Sequence, residues 1–264
     1  MLKGKNAIVI GASKGIGKAI AELFCDNGAY VTLMSSSEAN LKEAVKGIKS
    51  KGGKADYIVV DISRIDSVKK AFDKYRDLRK KVDILVNNAG IYRENTDTHD
   101  DKGNINIDAV NQLINTNLLS YWWCTLMAKD LINDGGSVIN VSSVNGITGK
   151  GNSDIYDITK AGINNLTLNQ ARQLSSRKIR VNAICPSSTI TPMRDDAMGR
   201  YLKDKTRQDF DEFEASTIPF KRLCDPSEIA ELALFMACDK SSYMTGQIIS
   251  VDGGFLLKPF FFDE

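Results

Sequence analysis

The sequence predicts an α/β protein: a doubly wound parallel sheet with helices on both faces. Two observations predict it. Short apolar runs alternate with helical periodicities along the chain, the pattern of parallel strands joined by crossover helices. The first such pair is joined by the glycine-rich stretch Gly11-Ala-Ser-Lys-Gly-Ile-Gly17, the opening βα unit of a nucleotide-binding sheet. No repeat, low-complexity segment or linker interrupts the alternation, so a single domain is expected over 1–264.

Taken in order, Ala7-Ile-Val-Ile10 reads as the first strand, and Ala19, Ile20, Leu23 and Phe24 share one helical face after the turn. Glycines suit that turn because a side chain would block the backbone's close approach to a pyrophosphate. The helix N-terminus beyond offers free N–H groups and a positive dipole end. The spacing is G-x-x-x-G-x-G, not G-x-G-x-x-G, and glycine turns also join strand to helix where nothing binds. Tyr30-Val-Thr-Leu-Met34 is a second strand. Leu41, Ala44, Val45 and Ile48 mark a second helix, stopped by Gly52-Gly53. Strand three runs from Ala55 to Val60 and ends at Asp61, followed by a helix bearing Ile65, Val68, Phe72 and Tyr75. Arg79-Lys-Lys81 at its end reads as a solvated surface that complements the helix dipole. Ile84-Leu-Val86 is the fourth strand, and residues 93–106 form a long polar loop.

A helix is expected from about Asp108 to Ile132, then a strand from Ser137 to Val141. The next helix carries Tyr156, Lys160, Ile163 and Leu166, and Val181-Asn-Ala-Ile184 is the sixth strand. Thr191 to Phe220, rich in charge with Met and Phe interspersed, is expected to be an irregular substrate flap. Asp225-Pro-Ser-Glu228 is a helix start, with aspartate as N-cap, proline at N1 and glutamate at N3. Ile248 to Val251 is the last strand, turned by Gly253-Gly254.

Composition narrows the function. The 35 Lys and Arg nearly balance the 33 Asp and Glu, so no net field favours nucleic acid or an anionic membrane. No apolar run is long enough to cross a bilayer, and the first six residues leave no room for a leader before the first strand. Five scattered cysteines (25, 124, 185, 224 and 238) without C-x-x-C spacing suit buried thiols in a reducing cytoplasm. The single histidine, His99, argues against a metal cluster and against Ser-His catalysis; no metal is expected.

Four stretches carry the chemistry. Asn87-Asn-Ala-Gly90 ends strand four and Ser142-Ser143 ends strand five, both at the carboxyl edge where such sheets bind ligands. Tyr156-Asp-Ile-Thr-Lys160 sets a phenol and an ammonium group on one helix face, and Pro186 to Thr191 follows strand six. A free tyrosine titrates near pH 10, too high for ready proton exchange at neutrality. A neighbouring lysine cation is expected to lower that value, which would let the phenol protonate a carbonyl oxygen or recover the proton. Ser143 can hydrogen-bond the same oxygen as charge develops on it.

At these residues the chain resembles the short-chain dehydrogenase/reductase family in its common single-domain branch, from Lys5 to about Phe255. The resemblance implies a Rossmann-like sheet of about seven strands, a tetrameric assembly, and hydride transfer between a nicotinamide cofactor and a ketone or secondary alcohol. It implies that Tyr156 is the acid/base, that Ser143 orients the reacting oxygen, and that Lys160 binds nicotinamide ribose and tunes the tyrosine. Asn117, in Asn115-Thr-Asn-Leu118, would hold a proton-relay water behind the lysine. For the cofactor, it implies contacts from Gly11, Ser13, Lys14, Gly15, Ile16 and Gly17 in the turn, and from Ser35 and Ser36 after strand two. Asp61 and Ile62 would meet the adenine, Asn88, Ala89 and Gly90 would line the centre, and Pro186, Thr189 and Thr191 would face the nicotinamide. Ile10 stands where the family has threonine, and Ser187 where it has glycine.

NADP(H) is expected in preference to NAD(H). The corner after strand two reads Met34-Ser-Ser-Ser37, with no carboxylate before Glu38 to repel a 2′-phosphate, and Lys14 adds a cation. The competing view is that the serines only cap the next helix and Lys14 points to solvent. The substrate stays open among hydroxysteroids, sugars or polyols and other small ketones. A 3-oxoacyl-carrier-protein reductase is the alternative: Arg177 suits an acidic carrier, while the acidic turn Asn133-Asp-Gly-Gly136 does not. A cofactor-binding sensor or scaffold without turnover is the alternative of another class. The apolar tail Leu256-Leu-Lys-Pro-Phe-Phe-Phe262 would be covered in a homo-oligomer, or fold back on its own core.

Overall fold

The computed structural model describes residues 1–100, 102–198 and 206–257. Among the described residues seven parallel strands form one sheet in the order β3-β2-β1-β4-β5-β6-β7. They are β1 (Asn6–Ile10), β2 (Tyr30–Ser35), β3 (Lys54–Val59), β4 (Val82–Asn87), β5 (Ile132–Val141), β6 (Arg180–Pro186) and β7 (Ile248–Val251). Residues two apart on a strand point to the same face, and the apolar strands exploit this by feeding two cores. Ala7 and Val9 pack with Val31, Leu33 and Val86 under α1 (Gly15–Asp26), α2 (Glu38–Ser50) and the Pro226–Ala237 helix. Ile8 and Ile10 pack with Met34, Ile58 and Leu85 on the opposite face, under α3 (Ile65–Leu78) and the Ser120–Ala128 helix. Ile10, the departure from the family pattern, is thus a buried core residue. The strand order reverses at β1, flanked by β2 and β4, and this opens a crevice at the carboxyl ends of the strands.

The remaining helices are α4 (Asn95–Thr98), α5 (Ile107–Ile114), α6 (Ser120–Ala128), α7 (Asn145–Thr148), α8 (Asp154–Leu174), α9 (Pro192–Met198), α10 (Arg207–Ser216) and α11 (Pro226–Ala237). Several differ from the sequence expectation. The helix expected over 108–132 is broken into α5, a π-helical turn at Asn115–Leu119, and α6. Strand β5 then begins at Ile132, five residues before the expected start. Its Asn133–Gly136 stretch forms an irregularity in register with β4, where Gly135 takes φ +78°. Arg177 stabilises that irregularity: it donates to Asp134 at 2.8 Å and to the carbonyls of Lys129 and Ile132. It lies beside the amino end of β5.

The 191–220 segment is not irregular where it is described. Thr206 and Asp209 form a reciprocal capping box for α10, and Pro192 opens α9. Arg194, with a side chain only 8% exposed, pairs with Asp211 and Glu214 and thereby clasps α9 to α10. Residues 199–205 of the expected flap, and the tail beyond Leu257, lie outside the described residues. Arg79 is not part of a solvated basic surface: its guanidinium lies 3.3 Å from the centre of the Tyr30 ring and pairs with Asp56. Among the described residues no helix is long and apolar enough to cross a membrane.

Candidate active site

The crevice is floored by glycines packed against β4. Gly11, at φ +76°, has the Cα of Ala89 so close that a Cβ would come within 2.6 Å of it. A Cβ on Gly17 would strike the Gly11 carbonyl, whose oxygen accepts from Asn88 Nδ2 at 3.1 Å. The turn and the Asn87–Gly90 loop are therefore interlocked, and only glycine permits the approach. Helix α1 starts at Gly15 with no side-chain cap and no acidic residue in its first turn, so its N-terminal N–H groups remain available to an anion. Lys14, the N-cap, is exposed, and Ile16 packs on the core behind. A Cβ on Gly15 would lie 3.3 Å from the Thr191 side chain, so Thr191 stands directly across the turn.

At the corner after β2, the Ser13 and Ser35 hydroxyls meet at 3.0 Å and Ser36 is exposed. Ser37 caps α2, while Glu38 is drawn to Lys42 and the Tyr57 hydroxyl. These features fit a dinucleotide: a glycine cradle, an uncapped helix N-terminus and a hydroxyl-lined corner. Asp61 is exposed beside the same edge, with its carboxylate accepting from the Ser63 amide and hydroxyl, and Ile62 is buried beneath it. The Thr189 side chain bonds within its own loop. It is buried, donates to the Ser187 carbonyl at 2.9 Å and pairs with Cys224 as an isolated bridge. Ser187 itself uses its amide to bond Val251 after Pro186 closes β6.

The four candidate catalytic residues converge between β4, β5 and α8. Tyr156 is 9% exposed and faces Ser143, whose hydroxyl accepts from the Asn145 amide. Lys160, 4% exposed, sends Nζ to the Val141 carbonyl at 3.1 Å and lies 5.6 Å from the centre of the Tyr156 ring. Ser142 holds the Lys160 carbonyl at 2.9 Å. Gly146 lies so close to α8 that a Cβ would meet the Lys160 backbone. Asn117 sits in the π-helical turn, a local geometry often found at functional sites. Fully buried, it pairs reciprocally with the Ile91 backbone, both bonds 2.8 Å. Its Oδ1 and Lys160 Nζ both lie against Gly90.

The electrostatics correct one expectation. Burial is the largest influence on Tyr156 and pushes the phenol up to about 12, opposed by the Ser143 hydroxyl and reinforced by the charge of Asp157. Lys160 does not pull it down. The ammonium group is itself desolvated, which brings it down to about 8, and its proton is directed to Val141. The phenol accordingly stays protonated through neutral pH.

Sequence reasoning missed several groups around Tyr156. Asp157, inside the Y-x-x-x-K stretch, accepts from Asn145 Nδ2 at 2.8 Å, from the Ser153 hydroxyl at 2.9 Å and from the Lys150 amide, and so fixes the 145–153 loop. The Tyr92 ring meets the Tyr156 ring edge-on, centroids 5.0 Å apart at 76°. Its position two residues after Gly90 was the available signal. Among the described residues no group of three or more His, Cys, Asp or Glu side chains could hold a metal ion.

A doubly wound parallel sheet with a glycine cradle, and with serine, tyrosine and lysine converging at its carboxyl edge, defines an oxidoreductase of the short-chain dehydrogenase/reductase type. The chain belongs to that family: residues 11–256 match the family model described as enoyl-(acyl carrier protein) reductase. Among individual relatives, it is 38% identical over 258 residues to a 3-oxoacyl-[acyl-carrier-protein] reductase of Thermotoga maritima, covering 97% of this chain and 99% of that protein. Its fold matches the aldohexose dehydrogenase of Thermoplasma acidophilum at TM-score 0.86 and 27% identity, over 100% of this chain and 98% of that one. It also matches a blue fluorescent protein from a metagenomic library, in complex with NADPH, at TM-score 0.85 and 27% identity over 96% and 98% of the two chains.

Proposed function

We propose that the protein is an NADP(H)-dependent oxidoreductase that interconverts a small ketone and its secondary alcohol, with Tyr156 as general acid/base. The observation that carries this reading is the convergence of buried Ser143, Tyr156 and Lys160, with Lys160 Nζ 5.6 Å from the centre of the Tyr156 ring and against Gly90, next to the glycine cradle. The cofactor, when bound, supplies or accepts the hydride. The chain's own groups do the rest. The cradle from Gly11 to Gly17 and the α1 N-terminus hold the phosphates, and Thr191 stands across the turn from them. Ser143 and Tyr156 share one oxygen-binding position; the protonated phenol gives its proton to the carbonyl oxygen as charge develops there, and Ser143 donates to the same atom. Asn117 fixes the Ile91 backbone and, through it, the floor beneath Lys160.

Preference for NADP(H) is supported by the Ser13–Ser35 pair, by exposed Lys14, and by Glu38 being neutralised by Lys42. The NADPH complex of a 27%-identical neighbour is in line with it. Purified protein should oxidise NADPH in the presence of a ketone panel. Removing a general acid typically costs roughly 10²–10⁴-fold, so Tyr156→Phe should bind NADPH and lose turnover on that scale. Near wild-type rates in this variant would refute the role of Tyr156. A second reading, a reductase of carrier-bound 3-oxoacyl groups, is favoured by the 38%-identical Thermotoga relative. Faster NADPH oxidation with an acetoacetyl carrier protein than with any free ketone would select it.

A further inference from the structure

We propose that Tyr121 is a positioning residue for Lys160: its hydroxyl shares the Val141 carbonyl with the lysine ammonium group, and so loosens the hold of that carbonyl on the group that meets a bound nicotinamide cofactor. The inference rests on the oxidoreductase reading above.

Two donors from different helices converge on one acceptor. The Tyr121 hydroxyl, from α6, donates to the Val141 carbonyl at 2.9 Å. Lys160 Nζ, from α8, donates to the same oxygen at 3.1 Å. Val141 is the last residue of β5, directly before Ser142 and Ser143. The ammonium group lies 5.8 Å from the centre of the Tyr121 ring and 5.6 Å from that of Tyr156, so two phenols flank it. Tyr121 is 1% exposed, whereas its neighbour Trp122 is 49% exposed. Asn117, four residues earlier in the π-helical turn, is buried as well, and its Oδ1 lies against Gly90 together with Lys160 Nζ. One stretch of chain thus meets the surroundings of the lysine twice, with Asn117 at Gly90 and Tyr121 at Val141.

A tyrosine this deeply buried requires a partner for its hydroxyl, and the choice of Val141 has a consequence for the lysine. The two donors draw on one carbonyl oxygen, so each holds it less firmly than it would alone. Phenylalanine in this place would leave Val141 to the ammonium group undivided. Lys160 carries three N–H donors and spends one on Val141, which leaves the rest for the hydroxyl groups of a ribose. The titratable groups around it are Tyr121 on α6, Tyr156 on its own helix and the Cys185 thiol on β6. Burial raises all three above their ordinary values. Lys160, brought down to about 8 by its own burial, is therefore the member of this cluster that changes charge just above neutrality.

The test is NADPH binding, followed by fluorescence titration across pH in the wild type and in Tyr121→Phe, and at neutral pH with the same substitution in a Lys160→Met background. The undivided Val141–Lys160 bond gains no more than one neutral hydrogen bond is worth, so Kd at neutral pH should rise by roughly 2–10-fold in Tyr121→Phe. In the wild type, affinity should fall as pH climbs through about 8, where the cofactor-free lysine loses its proton. In Tyr121→Phe the stronger bond to the charged form should move that fall upward by roughly 0.3–1 pH unit, the same factor expressed as a titration. In the Lys160→Met background Tyr121→Phe should leave Kd unchanged, because the group through which it acts is gone. An unchanged or lower Kd in Tyr121→Phe, an unmoved pH profile, or an equal rise in the Lys160→Met background overturns the role of Tyr121 while the oxidoreductase reading stands. Should the double variant fail to fold, the pH profile of the single variant decides, since a packing defect alone leaves the titration where it was. Failure of the wild-type protein to bind either nicotinamide cofactor overturns both.

Discussion

Asn117→Ala separates the architectural work of a buried side chain from its chemical work. Both of its amide atoms are spent on one residue: Oδ1 accepts from the Ile91 N–H and Nδ2 donates to the Ile91 carbonyl, each at 2.8 Å. Truncation leaves two backbone groups without partners, each costing about 1–3 kcal/mol. Because these bonds are part-buried, the lower part of that range applies, roughly 2–4 kcal/mol in all. For a chain of this size 1 kcal/mol moves the melting temperature by roughly 2–4 °C, so Tm should fall by roughly 4–16 °C. Turnover should fall with it, because the loop at Ile91 would no longer hold Gly90 against Lys160 Nζ. The assay is paired calorimetry and NADPH oxidation, with Asn117→Asp as the intermediate case: it keeps an acceptor for the Ile91 amide and loses the donor. A Tm within about 1 °C of wild type refutes the structural argument. If kcat still collapses in that case, Asn117 acts on the reaction alone.

The remaining predictions concern charge and assembly. The ratio of kcat/KM for NADPH over NADH should exceed one, and Ser35→Asp combined with Lys14→Ala should reverse it, because a carboxylate would then face the 2′-phosphate; a wild-type ratio below one overturns the preference. Lys160 has a folded pKa of about 8 against an ordinary value of 10.5. The unfolded chain therefore binds more protons between those limits, and this group's contribution makes the protein more stable as pH rises through that window, by roughly 3 kcal/mol in full. Lys160→Met should abolish that rise, measured as the difference between the two proteins because buried thiols such as Cys25 titrate with the opposite sign; parallel pH curves refute it. Trp122, Ile158 and Leu168 are substantially exposed on α6 and α8, which supports a homo-oligomer. Sedimentation should detect it at micromolar concentration, and a monomer alone would count against it.

Much of this protein is determined locally and is legible in the sequence. Period-two apolar strands such as Ala7–Ile10 must feed two cores, so helices on both faces follow from the residues alone. Glycine at 11, 15 and 17 is required wherever a backbone must approach this closely, and Tyr156 and Lys160 share a helix face by spacing. Asp225-Pro-Ser-Glu228 announces its helix because a capping box is written into four consecutive residues. Other features depend on contacts between residues far apart in the chain. Asn117, in the π-helical turn, bonds the backbone of Ile91, 26 residues away, and the bulge of β5 is stapled by Arg177, 43 residues from Asp134. Glu94 is tied to Tyr92 and to Asn152, a contact across 58 residues that no short motif encodes. The direction of the Tyr156 shift was also a tertiary outcome. Sequence spacing places the lysine beside the phenol, but burial of both side chains sets their proton affinities, because desolvation depends on everything packed around a group and outweighs a single neighbouring charge.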